Sequence, residues 1–290
     1  MPTGQKLFGR SVRITAGTTQ ITGLRMSFEV KRSLSKTPNS AEVTLWNLNQ
    51  EHRAALQQKG QRLLIEAGYG TELLVLFNGF TRTVSSTHQG PDWVTKIRSA
   101  DGELAYRTAR VVESFKAGTP VKAVIKTLCQ RLGIPLQDAL AKVDASTFRA
   151  GAQQFINGVT LDGEVHELLD PMLRAAGLEW SIQNGALQIV PLGSALDGDA
   201  ILLTSTDKQT GLVGSPEVAE KKDAAAGAKV SKSPKHIVKV TALLNPRIEP
   251  GKKLKLESEL LTGFYRVDEV SHRGDTHGQD YYSEAECRAL

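Results

Sequence analysis

One helical segment comes close to a zinc-binding motif. His166 and Glu167 begin the pattern HExxH, in which two histidines one helical turn apart bind zinc and the glutamate acts as the base, but Asp170 occupies the last position. The exposed face of an ordinary amphipathic helix contains the same residue types. We therefore interpret this segment as an exposed helix face and predict no metal site there.

A second polar cluster surrounds one turn near the end of the chain. His272 and His277 are close enough in sequence to reach a single ion, but a polar hairpin tip explains the same residue types. The other members of the cluster are Asp268, Asp275 and Asp280. We expect no bound metal and no cofactor from either cluster.

Motifs for nucleophilic and phosphate chemistry are missing or incomplete. The sequence contains no G-x-S-x-G elbow, and the glycines of Gly68-Tyr69-Gly70 form a turn rather than a phosphate loop, because no third glycine or helix follows. Cys129 lies in a helical apolar pattern, which is typical of a small core residue, and neither it nor Cys287 has a nearby histidine. The sequence predicts no catalytic residues and favours a protein that is not an enzyme.

Composition and charge are those of an ordinary globular protein. The 290 residues are 40% hydrophobic and 23% charged, and no apolar run approaches the ~18 residues of a membrane span. The chain starts without an apolar signal region, so we expect a protein made and kept in the cytoplasm, without membrane contact. Its net charge is +5, and much of the excess lies in two lysine-rich stretches without aromatic residues, at 217–235 and 252–255. These stretches favour a solvated linker and a charged strand face over a nucleic-acid site.

The predicted secondary structure divides the chain into three parts, which would hold any functional residues in place. Residues 1–109 contain short strands separated by turns, with a strong hairpin signal at Asn78-Gly79, and predict a barrel or sandwich. Residues 110–193 predict a small α+β module with two helices and one hairpin at Asn184-Gly185. One helix begins at Thr119-Pro120, and the other runs from about Asp162 to Ala176, with Pro171 kinking or splitting it. Residues 194–290 return to strands, with a flexible Ala- and Lys-rich loop at 217–235.

The hairpin within residues 28–49 indicates a contact surface. The segment from Lys31 to Pro38 is too long and charged for a tight turn, so we expect a projecting, flexible finger. Period-2 alternation places Trp46 with Glu42 and Thr44 on the face that meets water. A large aromatic residue there is explained either by cover from another subunit or by a strand that twists so that Trp46 caps the barrel end.

The order of these motifs resembles the tail-tube-like baseplate hub proteins of tailed phages and related contractile injection machines. The resemblance spans nearly the whole chain and rests on four groups of residues: the hairpin from Val30 to Leu48; Ala67-Gly68-Tyr69 with Leu76-Phe77-Asn78-Gly79 and Asp92-Trp93; Gly177-Leu178-Glu179-Trp180; and residues 210–216 with Leu243-Leu244-Asn245-Pro246 and Pro250-Gly251. The insert at 217–235 departs from a compact barrel.

The resemblance implies two tail-tube-like β-barrels flanking the α+β module in a structural virion protein of the baseplate. It implies a homotrimer, assembled in the host cytoplasm, that joins the tail tube or distal tail protein to the central spike. DNA would pass through its channel without specific binding. Arg32 and Lys36 in the finger, together with Trp46, would be the subunit or ring contacts.

Two other classes of function compete with this one. A β-barrel module could use its lysines to bind nucleic acid or another acidic polymer, and steeply salt-dependent DNA binding would favour that function. A cell-wall hydrolase carried by the tail would depend on His272 and His277, whose replacement would abolish its activity.

Overall fold

The computed structural model describes residues 7–58, 60–135, 153–207, 210–221 and 235–290. Strands dominate these residues and four short helices accompany them, which confirms the β-dominated α+β class predicted from the sequence. Within the described ranges, none of the helices is long and apolar enough to cross a membrane.

The first β region contains seven strands and two helices. Asn49 caps its first helix, because the Asn49 side chain accepts a hydrogen bond from the backbone N–H of His52 at 2.7 Å. The elements are β1 (Arg10–Ala16), β2 (Thr19–Ile21), β3 (Met26–Ser33), β4 (Ser40–Trp46), α1 (Gln50–Leu56), β5 (Arg62–Tyr69), β6 (Glu72–Gln89), β7 (Asp92–Ala100) and α2 (Glu103–Thr108).

The α+β module follows. Its elements are β8 (Arg110–Phe115), β9 (Thr119–Pro120), α3 (Val121–Leu132), β10 (Gln154–Phe155), β11 (Val159–Glu164), α4 (Val165–Ala175), β12 (Leu178–Gln183) and β13 (Ala186–Pro191). Helix α3 starts later than predicted, because the Thr119 hydroxyl bonds the carbonyl of Lys116 instead of capping the helix. Helix α4 continues through Pro171, so it does not split there as one of the two predicted alternatives had it. Val165, Leu169 and Leu173 bury both of its halves in the module core, which outweighs the one lost hydrogen bond.

The second β region contains β14 (Ile201–Thr204), β15 (Leu212–Lys221), β16 (Lys235–Leu243), β17 (Lys253–Glu257), β18 (Thr262–Asp275) and β19 (Tyr281–Ala289). The predicted start of the loop at 217–235 is wrong, because strand β15 extends to Lys221. Residues 217–221 pair with residues 235–239 of β16, because backbone hydrogen bonds form a strand here without an apolar pattern. The rest of that prediction, 222–234, lies outside the described residues.

The two β regions share a single sheet. Strands β3 and β18 pair antiparallel from Ser33 opposite Glu269 to Ser27 opposite Asp275, and they join the halves of a 13-stranded sheet. The main path through this sheet runs β15-β16-β19-β18-β3-β4-β7-β6-β5-β1-β2. Among the described strands this path remains open at both ends, so it does not close into the two barrels expected within one chain.

The predicted hairpin at Asn78-Gly79 is wrong. Strand β6 runs straight through this dipeptide and pairs with β5 on one side of it and with β7 on the other. A Cβ on Gly79 would lie 2.6 Å from the carbonyl oxygen of Ala100, so glycine is required here for close backbone approach rather than for a turn. The Asn184-Gly185 hairpin is confirmed, with positive φ at both residues, which a type I′ turn requires.

Three hydrophobic clusters hold these parts together. The first fills the first β region, the second lies between α3, α4 and β12–β13 and includes Cys129 as predicted, and the third fills the second β region. Tyr281 of β19 belongs to the first cluster, and its hydroxyl donates to the carbonyl oxygens of Ser11 and Gly68 at 3.0 and 2.8 Å. The last strand of the chain therefore helps to fix the first β region.

Candidate assembly surface

One face of the shared sheet is polar across seven neighbouring strands, from β15 to β7. We call this surface the polar face. Strand registers place its charged side chains in rows that cross the β18–β3 seam without interruption. Its members over the middle of the sheet are six glutamates, Glu29, Glu42, Glu217, Glu269, Glu284 and Glu286, and five basic residues, Lys31, Lys96, Arg98, Lys239 and Arg273.

Ion pairs on the polar face link neighbouring strands. Arg273 donates to Glu29 at 3.0 Å across the seam and lies 3.6 Å from Glu284 on β19. Burial raises the pKa of Glu29, but hydrogen bonds from Arg273 and Lys31 outweigh burial and bring the pKa below its ordinary value. The polar face therefore carries mixed charges that contact one another, rather than a patch of one sign.

Two strand edges beside this face lack a neighbour within the described residues. Strand β15 pairs only with β16, and residues Thr83–Gln89 of β6 pair only with β7. Eight neighbouring strands, from β15 to β6, lie between these two edges. Unpaired edges invite another strand, so they mark the places where a second chain can extend the sheet.

A buried polar junction attaches the hairpin of the module to the first β region. Arg32 is 2% exposed, and its Nε and Nη2 donate to Oε1 of Gln183 at 3.2 and 3.1 Å. Its Nη1 donates to Glu249 at 3.2 Å, and Asn39 also donates to Gln183 at 2.9 Å. Arg32, predicted as an external contact, is thus engaged inside this chain.

A second buried arginine attaches the same hairpin to the second β region. Arg266 is also 2% exposed, and its guanidinium donates to Glu179 of β12, to Asp268 at 2.7 Å and to the carbonyl of Ser194 at 3.0 Å. Glu179 and Gln183 lie on the face of β12 opposite Trp180. The hairpin is therefore buried on both faces and connects the two β regions.

Asp101 adds a titratable group to this junction. Its Oδ1 accepts the N–H of Gly185 at 2.7 Å, while its Oδ2 is buried without a hydrogen-bond partner. Burial raises the pKa of Asp101 to about 6, against the opposing effect of the Gly185 hydrogen bond.

The loop predicted as a projecting finger folds back onto its own chain. Leu34 is buried and its N–H donates to the carbonyl of Asp268 at 2.9 Å. Lys36 reaches Asp170 on α4 at 3.5 Å but remains 43% exposed. The prediction of a free finger is wrong, because a buried leucine and an ion pair hold the loop against the module.

Trp46 lies at the other end of β4 from this loop. Strand registers run through Trp46 without a bulge, so it stays on the polar face with Glu42 and Thr44. The guanidinium of Arg25 lies 4.4 Å from the centre of its ring. A contact of Trp46 with another subunit stays a prediction.

The residues of the HExxH-like segment do not all come together in the structure. Glu164, His166 and Glu167 bring ligand atoms within 4.8 Å of one another at the start of α4, where His166 stacks on Tyr106. Asp170 instead pairs with Lys36 and Arg174.

The cluster near the end of the chain is not a polar hairpin tip throughout. His272 is fully buried, hydrogen-bonds Ser283 at 2.8 Å, and has its pKa lowered by burial to about 3. Asp275 accepts two backbone N–H groups of the turn at 2.8 Å, whereas Asp268 binds Arg266 and Arg288.

Sequence reasoning missed the junction residues Glu179, Gln183 and Arg266. Alternation in β12 places Glu179 and Gln183 on the face opposite Trp180, and polar side chains on such a face usually meet water rather than buried partners. A second signal lies in their spacing, because two polar residues four apart on one strand face can bind two partners on separate elements.

The described residues combine a continuous polar sheet face, unpaired strand edges beside it, and a module fixed by buried ion pairs. The family model of Baseplate hub gp41 matches residues 12–287, and the chain belongs to that family. It is a structural component of the phage tail baseplate hub and not an enzyme.

Solved structures show the same fold at low sequence identity. The 43 kDa tail protein of prophage MuSo2 from Shewanella oneidensis aligns with a TM-score of 0.64 and 11% identity, covering 97% of each chain. A tail protein from Neisseria meningitidis MC58 aligns with a TM-score of 0.65 and 8% identity, covering 97% of this chain and 96% of that one. The E. coli protein c3393 aligns with a TM-score of 0.61 and 11% identity, covering 96% of this chain and 76% of that one. That protein is a type VI secretion component with structural similarity to the T4 tail proteins gp27 and gp5. No curated protein matches the sequence.

Proposed function

We propose that three copies of this chain form a ring that joins the tail tube to the central spike. Each copy supplies two tube-like β units, residues 1–109 and 194–290, with the module of residues 110–193 outside the wall. The units complete barrels or a closed wall only when copies associate. The ring assembles in the host cytoplasm and ends up in the tail baseplate of the virion.

The two open edges support this arrangement. One chain offers eight neighbouring strands with an unpaired edge at each end, β15 and the second half of β6. A head-to-tail contact between these two edges repeats around an axis and leaves neither of them free once the ring closes. Two similar β units per chain give a three-copy ring pseudo-sixfold symmetry, which suits a sixfold tube on one side and a threefold spike on the other.

The polar face is the best candidate for the channel wall. It opposes six glutamates to five basic side chains and binds several of them in pairs, such as Arg98 with Glu42 at 3.3 Å and Lys239 with Glu286 at 3.7 Å. DNA-binding proteins hold phosphates with clustered, uncompensated cations. A nearly neutral wall lets DNA slide past without gripping it, so we assign no specific DNA site to this chain.

The predicted contacts divide between the two ends of β4. Lys36 stays exposed enough to reach a neighbouring ring, and Trp46 offers an aromatic surface to another subunit. Arg32 acts indirectly, because its buried guanidinium positions the loop that carries Lys36. A Lys36→Glu variant that assembles tails normally would remove Lys36 from the proposal.

The mass of the complex tests this function. The purified chain is mixed with the trimeric spike protein of the same phage, and the complex is measured by native mass spectrometry. We expect three copies of the 31.4-kDa chain on each spike. A chain that binds neither the spike nor the tube protein would contradict the proposal.

A further inference from the structure

An apolar groove lies beside the open edge of β6. It has a volume of about 580 Å³ and runs between the start of this edge and α2. Two large apolar side chains line it, Phe80, which is 50% exposed, and Leu104, which is 73% exposed. Exposed apolar side chains beside an unpaired strand edge offer a place where another chain can bind.

The charge at the groove is positive. Arg82 and Arg107 both pair with one carboxylate, that of Glu103, at 2.8 and 3.7 Å. Two cations thus share a single anion, and both guanidinium groups are more than half exposed. An acidic strand fits this rim better than a basic one.

The other open edge, β15, has the complementary character. Val213 and Val218 are 36% and 58% exposed, and Glu217 and Glu220 are exposed beside them. Val218 pairs with the buried Val238, so it lies at the margin of the third hydrophobic cluster, and no described residue covers it fully.

Strand register connects the two edges. Residue pairs place Val213 of β15 and Phe80 of β6 in a single row across the sheet, through Thr241, Glu284, Ser271, Lys31, Ser40 and Ala100, and the row continues beyond Phe80 to Arg62 of β5. Val213 and Phe80 are both exposed, and Phe80 is the last residue of β6 that pairs with β5. The unpaired edge of β6 begins just after it, so a strand added at that edge would start beside Phe80.

We propose that the groove at Phe80 and Leu104 receives strand β15 of a second copy of this chain. The two faces of β15 meet different parts of the groove. Val213 and Glu217, on the polar face with Phe80, approach Phe80 and Arg82, while Val218 and Glu220, on the opposite face, approach Leu104 and Arg107 of α2. The inference rests on the proposed ring and specifies the contact that closes it. Because donor and acceptor surfaces differ, the contact is head-to-tail and repeats in one direction.

A Leu104→Glu variant tests the apolar part of the contact. Sedimentation of the full chain over a concentration series measures self-association, and we expect it to weaken about tenfold or more, as for a central apolar residue of an interface. Val112→Glu is the matched control, because Val112 is 79% exposed on β8 of the module and does not line the groove. Equal thermal unfolding midpoints for both variants establish that the fold is intact.

Charge reversal tests the polar part. Arg107→Glu and Glu220→Lys should each weaken self-association, and the double variant should recover most of the loss, since the opposite charges face each other again. Failure of both the Leu104→Glu and the charge-reversal variants to weaken association would overturn the inference. So would absence of any self-association by the wild-type chain.

These outcomes separate the contact from the function. A trimer that forms equally well with Leu104→Glu overturns the groove contact and leaves the hub proposal standing. The opposite outcome is an oligomer that is not a trimer, does not bind the spike protein, and is weakened by Leu104→Glu. That outcome would support the groove contact and contradict the hub proposal.

Discussion

Two buried arginines fix the same hairpin to two β regions, but their surroundings differ. Arg266 lies between two carboxylates, Glu179 and Asp268, whereas Arg32 has one carboxylate, Glu249, and otherwise binds neutral oxygens. Glu249 also has Lys252 as a partner at 2.6 Å.

The difference shows how the two attachments depend on charge. Removing a partner from a buried ion pair leaves the other charge unpaired, which costs more than losing a neutral hydrogen bond. The attachment of the hairpin to the second β region therefore depends on the ion pairs of Arg266. Its attachment to the first β region depends mainly on neutral hydrogen bonds to Gln183. The first three predictions below change these attachments, and the last changes an exposed ion pair of the polar face for comparison.

The largest effect is expected for Arg266→Met. The variant leaves Glu179, with 18% side-chain exposure, without its cation, although Asp268 keeps Arg288 at 2.7 Å. We expect the free energy of unfolding to fall by about 3–5 kcal/mol in urea titrations. Adding Glu179→Gln to this variant should restore part of the loss. A loss below about 1 kcal/mol, as for an exposed pair, would contradict the assigned role of Arg266.

Arg32→Met should cost less, about 2–3 kcal/mol, because Glu249 keeps Lys252 and the main loss is hydrogen bonding to Gln183. A double-mutant cycle with Gln183→Leu, measured by urea unfolding, should show coupling between the two residues. Additive losses would show that Gln183 does not hold Arg32.

Asp101 makes stability depend on pH. Its pKa is raised to about 6 in the folded protein, against about 4 when unfolded, so the folded state binds more protons between these values. Stability should therefore fall by about 2 kcal/mol as pH rises from 4 to 6 through this group. The Asp101→Asn variant should lose this part of the slope in unfolding experiments across that range. An unchanged slope would assign it to other groups.

The smallest effect is expected for Arg273→Met on the polar face. Arg273 is 48% exposed, and exposed ion pairs contribute roughly 0–1 kcal/mol. Urea unfolding of this variant, with Arg98→Met as a second exposed member of the face, should show losses within that range. A loss as large as that of Arg266→Met would mean that the β18–β3 seam depends on charge.

The two Asn-Gly dipeptides show how far sequence predicted the fold. Asn184-Gly185 forms a hairpin as predicted, whereas Asn78-Gly79 lies inside β6. The local signal is equal at both sites. The second glycine is needed for tertiary packing, because the Ala100 carbonyl approaches it too closely for a Cβ, and a single sequence does not reveal a distant neighbour.

The candidate assembly surface was likewise predicted only in part from the sequence. Alternation correctly placed Trp46 with Glu42 and Thr44 on one face, because that rule depends only on strand geometry. Burial of Arg32 depends on Gln183 and Glu249, which are 151 and 217 positions away, so a charged residue near a loop was interpreted as exposed. The seam between β3 and β18 was missed for the same reason.

Electron cryo-microscopy of the assembled ring at the tip of the tail tests the central claim most directly. We predict three copies, with β15 of each copy beside β6 of the next and the polar face of Glu29, Glu42 and Arg273 turned toward the central axis. A ring with this face turned outward, or one closed through strands other than β15 and β6, would contradict the account.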